Sequence, residues 1–85
     1  MTYRIEFTKP AAKQFKALQL QEQQRLKPKI DALSNEPRPS GVVKLSGEEN
    51  LYRIRVGNYR IIYSLEDDQL LILVVKVGPR QDVYR

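Results

Sequence analysis

Three arginines occur close together in the segment LYRIRVGNYRIIY. Arg53 and Arg55 are two residues apart, so on a β-strand both side chains project from the same face. The Gly57-Asn58 pair predicts a two-residue hairpin turn, which would bring Arg60 near Arg55 on the next strand. Because like charges on one sheet face repel each other, we expect this group to bind an anion such as phosphate, which a guanidinium grips through two parallel hydrogen bonds. An ordinary solvated strand face with basic side chains is the alternative that the pattern leaves open.

The composition limits the chemistry of such a site. The chain has 85 residues with no cysteine and no histidine, so it lacks a disulfide framework, a thiolate metal cluster and a histidine base. Catalysis would have to use arginine, lysine, tyrosine, serine or carboxylate side chains, and we expect no metal and no cofactor. The formal net charge of +5 favours a polyanionic partner such as nucleic acid or an acidic protein segment.

The hydrophobic pattern predicts the elements that would carry these residues. A half-buried strand (2–7) comes first, then a helix that Thr8 caps and that runs to about residue 20, then a second helix (21–35) that continues across Pro28 with a bend. Four more strands follow, over 41–47, 51–56, 59–65 and 70–77. The order β-α-α-β-β-β-β is an α+β arrangement, with two N-terminal helices packed on a mainly antiparallel sheet. We expect residues 1–85 to form a single domain.

Two details of this pattern concern the last strand and the location of the protein. The nearly continuous apolar run LLILVVKV predicts a central strand covered on both faces, and Gly78-Pro79 predicts a turn that brings the chain back over the sheet. The N-terminus has no long apolar signal region, and no run approaches the roughly 20 apolar residues of a membrane span. We therefore expect a cytoplasmic protein with no membrane partner.

The sequence resembles a known family in its motifs and their order. The pattern of KLSG, then LYRIRVGNYRIIY, then VGPRQDVY, preceded by a strand and two helices, resembles the RelE/ParE superfamily of bacterial toxin–antitoxin toxins, and within it the RelE branch. The resemblance implies a microbial-RNase-like fold and a ribosome-dependent endoribonuclease that cleaves messenger RNA in the A site. In such an enzyme the 2′-hydroxyl of the RNA attacks the adjacent phosphate and leaves a 2′,3′-cyclic phosphate and a free 5′-hydroxyl.

The resemblance also assigns catalytic positions. The two basic positions of the family before the hairpin fall on Arg53 and Arg55, and its arginine on the next strand falls on Arg60. Its arginine after the last strand falls on Arg80, and its C-terminal tyrosine falls on Tyr84. Tyr84 could stack on an RNA base or position a proton, although a hydrophobic anchor for the C-terminus is the alternative.

Partners follow from the same resemblance. Lys44 occupies a position that is often basic in the family, so it joins Arg53 and Arg55 as a predicted RNA-binding residue. The implied partners are the ribosome with bound messenger RNA and a cognate antitoxin protein. Operator DNA would be bound only through the toxin–antitoxin complex.

One departure from the RelE branch leaves the general base open. The branch carries lysines where this chain has Arg53 and Arg55, and one of those lysines is thought to act as the base. Arginine has a pKa above about 12, so it suits charge stabilisation far better than proton abstraction. Glu48 or Glu49 could accept the 2′-hydroxyl proton, or both could be solvated turn residues.

Two other functions are compatible with the same family. A ParE-like toxin would inhibit DNA gyrase by binding and would cleave no RNA. A third possibility is a basic protein whose only activity is to pair with an antitoxin and bind operator DNA as a complex. The set of Arg60, Arg80 and Tyr84 together with the basic pair favours the nuclease, because the resemblance implies that gyrase-directed members lack it.

Overall fold

The strands form one mixed sheet with two helices on one face. The computed structural model describes residues 2–45, 47 and 50–79. Its elements are β1 (Arg4–Phe7), α1 (Lys9–Lys16), α2 (Leu20–Ala32), β2 (Val43–Lys44), β3 (Leu51–Val56), β4 (Tyr59–Glu66), a 3-10 helix (Asp67–Gln69) and β5 (Leu71–Pro79). The strand order is β1-β5-β4-β3-β2, with β1 parallel to β5 and the other neighbours antiparallel. The predicted α+β class with a mainly antiparallel sheet is confirmed.

Local signals account for the start and orientation of α1. The Thr8 hydroxyl oxygen accepts a hydrogen bond from the Ala11 amide at 3.2 Å, and Pro10 lies in the first turn, where its missing N–H is not needed. Ala11 is buried on the side that faces the sheet. On the same side, the ring of Phe15 meets the ring of Phe7 edge to face, with centroids 5.9 Å apart. The cap fixes where α1 begins, and these contacts fix which side it buries.

Helix α2 contains Pro28 and continues through it, as predicted. A proline inside a helix costs about 3 kcal/mol. Leu26 and Ile30, on either side of the proline, are both fully buried, and each contributes about 2 kcal/mol when removed from water. The burial of these two side chains therefore outweighs the cost of the proline. None of the helices in the described part of the chain is long and apolar enough to span a bilayer.

The hydrophobic core lies between the helices and one face of the sheet. Alternation along β3 shows which face this is, since Ile54 and Val56 are each only 8% exposed while Arg55 is exposed. The core consists of Ala11, Leu26, Ile30, Leu33, Ile54, Val56, Ile61, Tyr63, Leu65, Ile72, Val74 and Val77. The opposite face of the sheet carries the arginines.

The structure corrects two predictions about β5. The strand is central, between β1 and β4, but on the face away from the helices Leu71 and Leu73 are only partly buried, so it is not fully covered on both faces. The predicted turn at Gly78-Pro79 is also wrong, because both residues continue β5 and pair with β4. Beyond the end of β1, the Gln14 side-chain oxygen accepts a hydrogen bond from the Val77 amide at 2.8 Å. This bond satisfies an amide that has no partner on β1, while pairing with β4 keeps the end of β5 in the sheet.

Strand β2 is shorter than the predicted 41–47. Among the described residues of this segment, Val43 and Lys44 pair with β3, and the Leu45 amide donates to the Leu51 carbonyl at 2.9 Å. Just before them, Gly41 has a φ of 87° and the Val42 amide donates to the Pro39 carbonyl, so the chain turns away from the sheet here. This turn therefore limits the length of β2.

The loop between α2 and β2 is tied to the sheet by side chains. Arg38 donates to the Asp67 carboxylate at 2.7 Å and lies over the Tyr52 ring at 5.4 Å from its centroid. Tyr52 stacks on Tyr63, whose hydroxyl donates to the Pro37 carbonyl at 2.6 Å. Sequence reasoning placed a loop here but missed this cluster, because its members are distant in the chain.

Replacing Tyr63 by phenylalanine should make unfolding less sensitive to alkaline pH. Burial, followed by the nearby Tyr52, raises the pKa of Tyr63 to about 12. A folded-state pKa above the unfolded value of about 10 gives stability that is complete below pH 10 and is lost as the pH rises towards 12. The variant should lack this loss, and at pH 7 it should be less stable by about 1 kcal/mol because the bond to Pro37 is absent.

Urea unfolding at pH 7, 9, 10 and 11 measures both effects. Tyr59→Phe is a suitable control, since Tyr59 is a half-buried tyrosine on the same strand. An equal loss of stability with pH in the wild type and in the Tyr63→Phe variant would contradict the prediction.

Candidate functional site

The β3–β4 hairpin brings the three arginines onto one face. Its turn is Gly57-Asn58, as predicted, and only Gly57 takes a positive φ, of 61°. A side chain at Gly57 would also lie 3.1 Å from the Arg25 guanidinium, so glycine satisfies both conformation and space. The register then places Arg55 directly opposite Arg60, and directly opposed residues share a face.

The rest of the register extends this cationic face. Arg53 is opposite Ile62 on β4, and Ile62 is in turn opposite Lys76 on β5. Lys76 therefore lies on the same face as the three arginines, two strands from Arg53. Sequence reasoning missed it because strict alternation with Ile72 and Val74 would place Lys76 on the core face. The bulge between the pairs Ile62–Lys76 and Tyr63–Val74 turns it to the other face. We call Arg53, Arg55, Arg60 and Lys76 the cationic face.

The members of the cationic face differ in depth. Arg55 is exposed, Arg53 is partly exposed, and Arg60 is 0% exposed. Burying a guanidinium costs free energy unless the surrounding structure compensates for it. We therefore expect Arg60 to contribute to the packing of the fold as well as to the chemistry of the site. The arrangement offers a ligand one accessible arginine, Arg55, directly opposite a buried one, Arg60.

Lys44 is placed apart from the cationic face. It pairs with Tyr52, so its side chain shares the helix-packed face of the sheet, at the exposed edge strand β2. Its neighbour Val43 is the residue opposite Arg53. The structure therefore does not bring Lys44 together with Arg53 and Arg55, because side chains alternate along a strand.

Four residues of interest lie outside the described part of the chain. They are Glu48, Glu49, Arg80 and Tyr84. The structure describes β5 up to Pro79, the residue before Arg80. Gly78 pairs with Arg60, and Pro79 pairs with Tyr59. Strand β5 thus ends beside the cationic face.

The described carboxylates on this face lie too far away to serve it. Glu6 accepts a hydrogen bond from Arg4 at 2.7 Å, and Glu66 accepts one from Ser64 at 2.7 Å. Glu66 is six residues along β4 from Arg60, a distance of about 20 Å. Within the described residues, no group of three potential carboxylate, histidine or cysteine ligands is placed to hold a metal ion. The cationic face can therefore stabilise negative charge, and a base has to come from elsewhere.

Comparison with known proteins assigns the chain to a family. Residues 5–84 match the ParE toxin family of type II toxin-antitoxin systems, parDE. The mRNA interferase toxin RelE of Escherichia coli K12 is 30% identical over 88 residues, which are 99% of this chain and 92% of the relative.

Solved structures agree with this match over most of the chain. The archaeal RelE-RelB complex of Pyrococcus horikoshii gives a TM-score of 0.82 at 36% identity, covering 94% of this chain and 97% of that one. The intact RelBE toxin-antitoxin complex of E. coli gives 0.81 at 28% identity, covering 91% and 95%. The arrangement of strands and helices described above is thus shared with these structures, and the chain belongs to the RelE/ParE superfamily of type II toxin–antitoxin toxins as a RelE-like toxin.

Proposed function

We propose that this toxin is a ribosome-dependent endoribonuclease that cleaves messenger RNA in the A site. The observation that carries the proposal is the register of the hairpin, which sets Arg53, Arg55 and Arg60 on one face of the sheet. A relative named mRNA interferase toxin RelE, which aligns with nearly the whole chain, supports the same activity.

The proposed reaction requires a concentrated positive charge. The 2′-oxygen forms a bond to the adjacent phosphorus, the bond from phosphorus to the 5′-oxygen breaks, and the electron pair of that bond leaves with the 5′-oxygen, which takes up a proton to become the 5′-hydroxyl. Negative charge increases on the non-bridging oxygens in the transition state, so fixed cations stabilise it more than the ground state. Removal of one such donor from an enzyme typically costs about 3 kcal/mol of barrier. Arg53 and Arg55 are the accessible donors, and the buried Arg60 lies directly opposite Arg55.

Other residues have separate roles in the proposal. Arg80 supplies a further cation at the reacting phosphate, and Tyr84 stacks on an unpaired base or positions a proton. Lys44, exposed at the sheet edge, attracts the RNA from outside the cluster. Lys76 adds positive charge on the cationic face.

The 2′-hydroxyl proton passes to a group other than the arginines, because a guanidinium retains its proton at working pH. Glu48 or Glu49 is the proposed acceptor in the chain, and transfer to solvent is the remaining route. The ribosome contributes by holding the RNA for in-line attack, an effect of several kcal/mol in well-oriented reactions.

We propose that a cognate antitoxin protein neutralises the toxin in the cytoplasm. The similar solved structures include RelE-RelB and RelBE complexes, in which the toxin is bound by its antitoxin. The net charge of +5 favours an acidic partner chain. Contact with operator DNA would then occur only through the toxin–antitoxin complex.

A second candidate is inhibition of DNA gyrase without nuclease activity. One observation favours it, because the family that matches residues 5–84 is that of ParE toxins. The arginines of the cationic face favour the nuclease, since binding to gyrase gives no reason for an accessible arginine directly opposite a buried one.

Primer extension on a translated message after induction of the toxin distinguishes the two functions. We expect new ends within codons of the translated message. The matched control is the same message with its start codon removed, which should remain uncut because no ribosome presents it. An intact message together with relaxed plasmid supercoiling would instead support the gyrase inhibitor.

A further inference from the structure

Three lysines form a stripe along the outer side of α1. Lys9, Lys13 and Lys16 occur at spacings of four and three residues, which places them within about 60° of one another around the helix axis. All three are exposed, whereas Ala11 and Phe15 face the sheet. We call Lys9, Lys13 and Lys16 the lysine stripe.

The charge of the lysine stripe is not balanced within the described part of the protein. The sequence of α1, KPAAKQFK, contains no acidic residue, and none of the ion pairs among the described residues involves a stripe lysine. Lys9 lies in the first turn, where the helix dipole disfavours a cation, and Lys13 repels it from four residues away. The helix dipole favours Lys13 and Lys16, which lie in the last turn, so the position of Lys9 and the mutual repulsion of the lysines are what oppose this pattern. Binding of an anion to the stripe would relieve that repulsion.

Helix α2 provides a contrast on the same side of the molecule. It also carries three exposed cations, Arg25, Lys27 and Lys29. Two of these have acidic neighbours on the helix, with Arg25 3.8 Å from Glu22 and Lys27 3.0 Å from Asp31. An unbalanced stripe is thus a feature of α1 and not of helices throughout this chain.

The surroundings of the lysine stripe indicate the kind of partner. The lysines border a shallow hollow whose other lining residues are Pro10 and Ala12, and these are too small to anchor a partner side chain. Binding sites for proteins usually depend on buried aromatic or large aliphatic anchors. Nucleic acid is instead bound through its phosphates by lysine and arginine, without such anchors.

We infer that the lysine stripe binds phosphates of folded ribosomal RNA while the cationic face holds the message. This inference rests on the proposed function, because it supplies the contact by which the toxin stays on the ribosome. The helices pack on one face of the sheet, and Arg53 and Arg55 lie on the other. The protein measures 25 Å in its shortest dimension, so the two surfaces can contact two RNA segments at once. The stripe should accordingly affect ribosome binding and leave the chemical step unchanged.

The test uses a variant in which Lys9, Lys13 and Lys16 are all replaced by glutamine. Binding of the purified toxin to E. coli 70S ribosomes is measured over a series of salt concentrations. We expect Kd to rise about tenfold or more at physiological salt, and the slope of log K against log salt to fall by about 2 to 3. Single-turnover cleavage at saturating ribosomes should stay within about twofold of the wild-type rate.

The matched control replaces Arg25, Lys27 and Lys29 by glutamine, which removes the same net charge from α2. If both triple variants weaken binding equally, only net charge matters and the inference is wrong. The inference is also wrong if the α1 variant binds ribosomes normally. Binding to poly-L-glutamate is measured in parallel, and a variant that binds ribosomes normally but has lost this binding would indicate an acidic protein partner instead. Binding is measured separately from cleavage. A wild-type toxin that binds ribosomes but never cleaves would overturn the proposed nuclease, while the binding measurements would still test the lysine stripe.

Discussion

Replacing Arg55 by alanine should reduce ribosome-dependent cleavage of messenger RNA by about 100-fold or more. The reason is that Arg55 is the most accessible arginine of the cationic face, and loss of one preorganised donor to a developing anion typically costs 100-fold to 1000-fold in rate. Arg53→Ala should act in the same direction. Because the Arg55 side chain is exposed, the free energy of unfolding should change by less than about 0.5 kcal/mol. Growth arrest on induction should be relieved although the toxin is folded and present.

Single-turnover cleavage on programmed ribosomes and urea unfolding together check this prediction. Lys27→Ala is the matched control, since it removes one cation from the helix layer and breaks only a surface ion pair with Asp31. The control should cleave within a few-fold of the wild-type rate. Undiminished cleavage by both Arg53→Ala and Arg55→Ala would show that the cationic face is not the active site.

Replacing Arg60 by alanine should abolish growth arrest for two reasons at once. Arg60 is 0% exposed and among the largest fully buried side chains, so its truncation leaves a cavity and should destabilise the fold by about 3 kcal/mol. Total stabilities are about 5–15 kcal/mol, so such a loss is a large share for an 85-residue chain. Cleavage per folded molecule should also fall, because a cation behind the reacting phosphate is lost.

Arg60→Lys separates the two effects. Lysine retains the charge and much of the volume but not the planar fork of donors, so this variant should be more stable than Arg60→Ala while still cleaving poorly. Urea unfolding and cleavage rates normalised to the folded fraction give the comparison. If Arg60→Ala were as stable as Arg55→Ala, Arg60 would not be the structural part of the site that its burial indicates.

The sequence by itself determined the local elements and the family. The Thr8 cap, the Gly57-Asn58 turn and the alternation of Arg53 and Arg55 with apolar residues depend on neighbours within a few positions. Such interactions act at short range along the chain, so they leave a readable pattern. The same pattern supplied the expectation that Arg60 would lie near Arg55, and the register confirms it.

Only the tertiary structure decided which charges share a surface and how deep each one lies. Lys44 falls on the face opposite the arginines, Lys76 joins them, and Arg60 is fully buried. These outcomes depend on the register between paired strands and on the bulge in β5, and a shift of one residue turns every side chain to the other face. The continuation of β5 through Gly78-Pro79 depends on pairing with Arg60 and Tyr59 of β4, and the Val77 amide is satisfied by Gln14, 63 residues away. Contacts between residues far apart in the chain leave no pattern in any short segment, so only the folded structure reveals them.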